Sequence, residues 1–73
     1  MITEEFLFEH SFRKIDAENY LLETNDCYIS ITIGEEFDIF ILNENTNSTI
    51  RYTKETNITI DEYTQLLKIV NLY

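Results

Sequence analysis

Residues 27–42, CYISITIGEEFDIFIL, decide the fold. In each half of this stretch, every second residue is apolar. This period of two is typical of a β-strand, in which successive side chains point to opposite faces. Gly34, the only glycine of the chain, stands between the two halves and can adopt the positive φ that a tight turn needs. The pattern predicts an antiparallel hairpin. Its expected core face carries Cys27, Ile29, Ile31 and Ile33 from the first strand and Phe37, Ile39 and Ile41 from the second.

The second strand of this hairpin is apolar on both faces. Phe40 and Leu42 point away from the side that Ile39 and Ile41 occupy. A helix packed on the sheet covers only one face, so the other needs cover from a second copy or from a partner. We therefore expect a protein interface on that face, with a homodimer as one form of it.

Shorter strands are expected on both sides of the hairpin. Residues 20–23 and 49–53 contain apolar side chains bounded by turn-forming Asn, Asp, Ser and Thr, which predicts two more strands. A strand and a helix both fit residues 4–15. Phe6, Phe8, His10 and Phe12 occupy every second position, as on a strand. Alternatively, Thr3 followed by two glutamates could cap a helix, on which Phe8, Phe12 and Ile15 would form one apolar stripe. We expect the strand, because phenylalanine at every second position suits a pleated surface.

The last part of the chain predicts a helix. Residues 59–62, TIDE, match a capping box, in which the Thr59 hydroxyl and the Glu62 carboxylate each accept a backbone N–H from the other residue. Ile58 and Tyr63 stand where a hydrophobic staple joins the two sides of such a cap. Helical spacing continues for about three turns, roughly 20 Å at about 1.5 Å per residue, to the carboxyl terminus. The expected apolar stripe contains Tyr63, Leu66, Leu67, Val70 and Tyr73, widened by Ile69 and Leu72.

Together these elements predict one domain, residues 1–73, of the α+β class. We expect an antiparallel β-meander of four to five strands, with one C-terminal amphipathic helix packed on a sheet face. A chain of this size buries only roughly 60% of the surface that its unfolded form exposes. Self-association would enlarge so small a core.

The charge balance indicates the kind of partner. Fourteen acidic residues against five basic ones give a net charge of -9. Such a surface repels nucleic-acid phosphates and anionic membranes, and it attracts basic protein surfaces. We therefore expect a basic protein partner, with no direct nucleic-acid contact and no membrane. Because the first residues do not resemble a secretory signal and the single Cys27 suits a reducing compartment, we expect a cytoplasmic protein, in the bacterial host cytosol if it is phage-encoded.

Residue types that support catalysis or hold a cofactor are scarce. One glycine excludes glycine-rich phosphate loops, and one Cys with one His excludes a conventional zinc site. The asparagine-rich loop after residue 42 begins like a calcium loop, but it has Ser48 where glycine is needed and Lys54 where a carboxylate is needed. On a strand, His10 would have Glu9 and Ser11 on the opposite face. We expect no catalytic residue, no metal, no cofactor and no enzymatic activity.

Carboxylates on a rigid sheet can imitate a nucleic-acid backbone. Residues two apart on a strand lie about 6.6 to 6.8 Å from one another, close to twice the charge spacing of about 3.4 Å along one DNA strand. Glu36 and Asp38 share a face in this way, and neighbouring strands are expected to bring Glu23 and Asp26 near them. Tyr28 supplies an aromatic anchor of the kind that interfaces favour. The candidate partner-binding residues are Glu35, Glu36, Asp38, Glu23, Asp26 and Tyr28.

These features favour a small acidic, non-enzymatic binding protein that inhibits by occluding the basic, nucleic-acid-binding surface of a partner, such as a nucleic-acid-processing or defence enzyme. The composition, free of proline and rich in Ile, Asn and Glu, is typical of low-GC bacteria and their phages. A phage-encoded anti-defence inhibitor, such as an anti-CRISPR protein, and a toxin-neutralising immunity protein are the settings that fit. The alternative is a structural or assembly protein that forms a homo-oligomer through an apolar sheet face.

Overall fold

The computed structural model describes all 73 residues. Five antiparallel strands form one sheet in the order β1-β2-β3-β4-β5, and two helices pack on the same face of it. This architecture confirms the predicted α+β meander and adds a short helix near the amino terminus. The elements are α1 (Glu4–Glu9), β1 (Arg13–Lys14), β2 (Asn19–Glu23), β3 (Cys27–Ile33), β4 (Phe37–Asn43), β5 (Ser48–Lys54) and α2 (Ile60–Ile69).

The core lies between the sheet and the two helices. Ile29 and Ile31 of β3 stand opposite Ile41 and Ile39 of β4, and all four side chains are buried. Burial of a side chain of this size contributes about 1.5 to 3 kcal/mol, and a slip of one residue would turn this whole set toward solvent. The register of the central hairpin is therefore strongly determined. The helices and their flanks cover the sheet with Ile2, Leu7, Phe12, Ile58, Tyr63, Leu66 and Val70.

The strand expected over the first phenylalanines is wrong, because residues 4–9 form the helix α1. The Thr3 hydroxyl accepts the N–H of Phe6 at 3.1 Å and caps the helix. The helical alternative had the right cap but the wrong stripe, since Leu7 is fully buried while Phe8 is 49% and Ile15 51% exposed. The residue that anchors the helix is Leu7, which lies between Phe6 and Phe8. The alternation of the phenylalanines is therefore unrelated to which residues are buried.

Both helices end with a residue in the left-handed region. Ser11 has φ 69° after α1, and Asn71 has φ 60° after α2. In α1, Phe12 N–H donates to the Leu7 carbonyl at 2.9 Å and Ser11 N–H to the carbonyl of residue 8 at 3.2 Å. In α2, Leu72 N–H donates to the carbonyl of residue 67 at 2.9 Å. These are the bonds of Schellman motifs, which satisfy the last carbonyls of a helix.

The helix α2 confirms the predicted capping box and corrects the predicted end. The Glu62 N–H donates to the Thr59 hydroxyl at 3.0 Å, and the Thr59 N–H donates to the Glu62 carboxylate at 3.1 Å. The helix stops at Ile69, short of the carboxyl terminus. Ile69 is 63% and Tyr73 78% exposed, so neither belongs to the buried stripe.

The turn between β3 and β4 also differs from expectation. Gly34 does not adopt a positive φ. Instead, a Cβ atom at this position would lie 2.6 Å from the Oε2 atom of Glu18. The atoms that approach Gly34 belong to the end of the exposed Glu18 side chain, so a larger residue at position 34 would displace that carboxylate.

Asn43 is a buried polar residue at the end of β4. Its Nδ2 atom donates to the Val70 carbonyl at 2.7 Å, and its Oδ1 atom accepts the Asn45 N–H at 3.0 Å. The side chain thus joins the end of α2 to the loop between β4 and β5. The bond to Val70 depends on tertiary placement, which the sequence pattern does not show, whereas the bond to Asn45 is a local turn bond.

Candidate functional site

The candidate site is the face of the sheet that no helix covers, called the open face below. Its side chains come from every second residue of the strands, opposite to the core set. This confirms that one face of the predicted sheet lacks cover within the chain. The open face consists of Arg13, Asn19, Leu21, Glu23, Tyr28, Ser30, Thr32, Asp38, Phe40, Leu42, Thr49, Arg51 and Thr53.

An apolar cluster on the open face, called the apolar centre, consists of Leu21, Tyr28, Phe40 and Leu42. It lies toward the end of the sheet that carries the turn between β2 and β3. All four side chains are half-buried. Tyr28 stands directly opposite Leu42 across β3 and β4, and the Tyr28 and Phe40 rings meet edge to face with centroids 6.1 Å apart. Aromatic contacts of this geometry contribute about 0.5 to 1.5 kcal/mol beyond burial. The centre is therefore an ordered apolar surface that remains accessible from outside.

Asp38 on the open face already has partners within the chain. The Arg51 guanidinium donates to both of its carboxylate oxygens, at 3.1 and 3.3 Å, and the Thr53 hydroxyl donates at 2.6 Å. Partial burial by itself would raise the pKa of Asp38, but the bonds from Thr53 and Arg51 outweigh it and hold that pKa below its ordinary value. Asp38 therefore orients Arg51 rather than offering a free charge.

The charges of the open face balance one another. Besides the Arg51–Asp38 pair, Arg13 and Glu23 form an exposed ion pair at 3.7 Å. Lys14 and Lys54 pair with Glu4 and Glu62 on the helix side of the sheet. Four of the fourteen carboxylates are thus in ion pairs, which leaves ten without a basic partner. The excess negative charge lies around the open face and on the helices.

Unpaired carboxylates stand at the end of the open face beside the β3–β4 turn. We call Glu18, Glu35 and Glu36 the hairpin rim. With Asp38 and Arg51 they line a concavity of about 510 Å³ to which no hydrophobic residue contributes. Asp16 accepts the backbone N–H groups of residues 18 and 19, both at 3.0 Å, and this turn carries Glu18 to Gly34. The hairpin rim can accept hydrogen bonds and ion pairs from basic groups.

A second group of carboxylates stands at the opposite end of the strands. We call Asp26 and Glu44 the far rim; the Glu44 N–H donates to the Asp26 carbonyl at 2.8 Å, and both residues are exposed. Asp26 also accepts a bond from the Asn45 side chain at 3.1 Å. The length of the seven-residue strand β3 separates the two rims by about 20 Å at about 3.3 Å per residue.

The six residues predicted from the sequence fall into two groups. Glu35, Glu36 and Asp38 line one concavity. Glu23 stands opposite Tyr28 at the other end, close to Asp26 in sequence, so the expected proximity of Glu23 and Asp26 to Asp38 is wrong. All six nevertheless lie on the open face or at its rims. Glu18, Leu21 and Glu44 were not predicted as part of the site. Phe40 and Leu42 were predicted as an exposed apolar face of β4, but they were not among the six candidate residues.

Groups with reactive potential lie away from the open face. His10 is exposed, stacks on the Phe6 ring at 4.0 Å and places its Nδ1 atom 2.8 Å from the Phe6 carbonyl oxygen. Cys27 is buried, and its Sγ atom lies 3.5 Å from the Thr24 hydroxyl. No three His, Cys, Asp or Glu side chains are grouped so that they could hold a metal ion. What the open face offers chemically is apolar contact, hydrogen bonds and negative charge.

Neither helix is long and apolar enough to cross a membrane. Comparison with known proteins finds no family model, no curated protein and no solved structure that matches the chain. Function is therefore inferred from the chemistry of the open face.

Proposed function

We propose that the protein is a small, acidic, non-enzymatic binding protein whose open face docks on a basic, nucleic-acid-binding surface of a partner protein and blocks it. The observation that carries this proposal is the arrangement of the open face. An apolar centre lies between two groups of unpaired carboxylates. Interfaces between proteins commonly have this organisation, with an apolar core inside a polar rim.

The apolar centre supplies the contact area. Tyr28 and Phe40 are aromatic residues of the kind that dominate binding energy when a partner excludes water from them. Because their rings already pack on one another, little conformational freedom is lost when a partner covers them. A partner surface with an apolar patch of similar size therefore fits this region.

The rims supply the selectivity for a basic partner. Glu18, Glu35 and Glu36 have no basic partner within the chain, so their charge can pair with arginine or lysine of another protein. A surface that binds nucleic acid presents such residues to phosphates. The net charge of -9 speeds encounter with that surface and repels free nucleic acid. Carboxylates in place of phosphates would make the protein a nucleic-acid mimic.

The setting follows from the class of partner. Nucleic-acid-processing and defence enzymes of a bacterial host, and toxins that act on nucleic acids, carry basic surfaces of this kind. A phage-encoded anti-defence inhibitor, including an anti-CRISPR protein, and a toxin-neutralising immunity protein both act by such occlusion. Each would meet its target in the cytoplasm, where we place the protein.

The alternative of a homo-oligomer stacked through the open face has less support. Two copies stacked face to face would bring like-charged rims together, which costs binding energy. A basic partner avoids the charge repulsion.

Capture from bacterial cytosol tests the proposal. The baits are the wild type, a rim variant with Glu18→Gln, Glu35→Gln and Glu36→Gln, and Phe40→Ser in the apolar centre. A matched control carries Glu5→Gln, Glu9→Gln and Glu55→Gln, which remove equal charge from exposed positions outside the open face. We expect wild type and control to retain the same basic protein, and both open-face variants to lose it. An acidic target, or equal capture by all four baits, would overturn the proposal.

A further inference from the structure

The outer strand β5 presents unpaired backbone groups along its length. In an antiparallel ladder, the backbone groups of successive residues point alternately to one neighbouring strand and to the other. Glu44, which follows β4, donates its N–H to the Asp26 carbonyl beside β3, so the even-numbered residues of β4 bond to β3. The odd-numbered residues of β4 therefore face β5, and their partners are the even-numbered residues of β5. The N–H and C=O groups of Thr49, Arg51 and Thr53 consequently point away from the sheet.

The two basic residues of β5 are engaged in ion pairs with other elements and do not stand free at this edge. Natural proteins commonly protect long edge strands with free lysine or arginine, proline, or a bulge. In β5, Arg51 is held by Asp38 of β4, and Lys54 donates to Glu62 of α2 at 3.3 Å. The strand has no proline, and its register with β4 continues without a bulge over seven pairs. The edge is therefore regular, and the charges of β5 are paired within the chain.

We propose that β5 pairs antiparallel with β5 of a second copy, about a two-fold axis at Arg51, and so forms a dimer with a continuous ten-stranded sheet. In this register the outward groups of Thr49, Arg51 and Thr53 on each strand all find partners on the other. Thr49 lies opposite Thr53 of the second copy, and Ile50 lies opposite its Tyr52. Threonine pairs and aromatic pairs with β-branched residues are favourable across antiparallel strands.

A second copy fits this edge better than it fits the open face. The strand β5 contains no acidic residue, so approach along it avoids the repulsion between rims. Ile50 and Tyr52 are only half-buried at the margin of the core, and the second copy would cover them. The opposed Arg51 side chains are each neutralised by Asp38 of their own chain.

The dimer is independent of the proposed function and would add to it. A two-fold axis perpendicular to the sheet places both open faces on the same side of the ten-stranded sheet. Two binding surfaces on one assembly raise the apparent affinity for a partner that carries two basic sites. Edge pairing leaves the apolar centre of each copy free.

Sedimentation velocity and equilibrium of the whole chain test the dimer. We expect wild type at high protein concentration to show twice the 8.8 kDa mass of the chain. Thr49→Pro and Thr53→Pro remove an outward N–H while leaving the bonds to β4, so we expect both to remain at the mass of one chain. The matched controls Thr49→Val and Thr53→Val keep the N–H and should dimerise. Wild type that stays a monomer at millimolar concentration, or proline variants that dimerise, would overturn the proposal.

Hydrogen exchange provides a measurement that needs no variant. The amides of residues 49, 51 and 53 should become at least tenfold more protected as the protein concentration rises through the dimerisation range. Unchanged exchange at these three amides, in samples that sediment as dimers, would exclude β5 as the contact. Because Phe40→Ser changes only the open face, it should leave the dimer intact while it abolishes partner capture, so the two proposals can fail separately.

Discussion

The Arg51 guanidinium and the Asp38 carboxylate form a two-pronged ion pair across β4 and β5, with Nη2 3.1 Å from Oδ2 and Nε 3.3 Å from Oδ1. This pair has two consequences. It removes the one cation that would otherwise stand free beside the hairpin rim, so that Glu18, Glu35 and Glu36 keep their negative field. It also draws the central charge of β5 away from the edge of the sheet.

Asp38→Asn should lower the free energy of unfolding by about 1 kcal/mol at pH 7, the scale of a partly exposed charge-assisted bond. The pKa of Asp38 is lower in the folded protein than the value near 3.9 of an unfolded chain. The folded state therefore binds fewer protons between those two pKa values. The stabilisation is present above pH of about 4 and is lost as the pH falls through the folded pKa.

Urea unfolding of both proteins at pH 7 and at pH 2 measures this effect. The difference between wild type and Asp38→Asn should be smaller at pH 2 than at pH 7, because Asp38 is protonated in the unfolded chain at pH 2 and the stabilisation falls as the pH approaches the lowered folded pKa. A difference of equal size at the two pH values would show that the charge of Asp38 is irrelevant and that only shape matters.

Asn43→Leu should destabilise the protein by about 2 to 3 kcal/mol, because the buried Val70 carbonyl would lose its donor and the turn after β4 would lose the bond to the Asn45 N–H. Asn45→Ala is the matched control: Asn45 is exposed, and its side chain bonds only the exposed Asp26. We expect less than about 0.5 kcal/mol from the control. Chemical denaturation measures both, and equal losses would contradict the role assigned to Asn43.

Ser11→Gly should stabilise the protein by about 0.5 to 1 kcal/mol, because glycine adopts a φ of 69° without the steric cost that a Cβ atom brings. Ser11→Ala keeps the Cβ atom and should not stabilise. Thermal unfolding distinguishes the two variants. A Ser11→Gly protein that melts below wild type would mean that the serine side chain has a role beyond the turn.

Phe40→Ser and Ile39→Ser separate the two faces of β4. Ile39 is fully buried and Phe40 half-buried on the open face. We expect Ile39→Ser to cost about 3 to 5 kcal/mol, as large cavity-forming and polar core changes do. Phe40→Ser should cost less than Ile39→Ser, about 1 to 3 kcal/mol, and should weaken binding to the captured partner at least tenfold. Comparable destabilisation by both changes would mean that the open face is part of the core.

The sequence predicts those parts of the fold whose signals are local. The cap at Thr59 and Glu62 joins residues three apart, and the alternation in residues 27–42 directly reports which side of the sheet is buried. The helix α1 is not evident from the sequence because Leu7 is its only buried residue. The phenylalanine and glutamate residues around Leu7 are exposed or half-buried, and their pattern also fits a strand.

The candidate site was predictable in composition but not in arrangement. The two-sided apolar pattern of β4 predicts the apolar centre. The contact of Glu18 with Gly34, the pairing of Arg51 with Asp38 and the separation of the rims all depend on strand register and on loop approach. Contacts between residues so distant in sequence produce no recognisable spacing of residue types. The acidic residues therefore look evenly dispersed along the chain.

Displacement of nucleic acid from the partner is the sharpest test of the proposed occlusion. The captured partner is bound to a labelled oligonucleotide, and the release of the label is followed by fluorescence anisotropy as wild type is added. We expect release at one chain of this protein per basic site, with loss of that effect in Phe40→Ser and in the rim variant, and retention in the control with Glu5, Glu9 and Glu55 changed to Gln. A stable ternary complex, with the oligonucleotide still bound while the protein occupies the partner, would contradict the account.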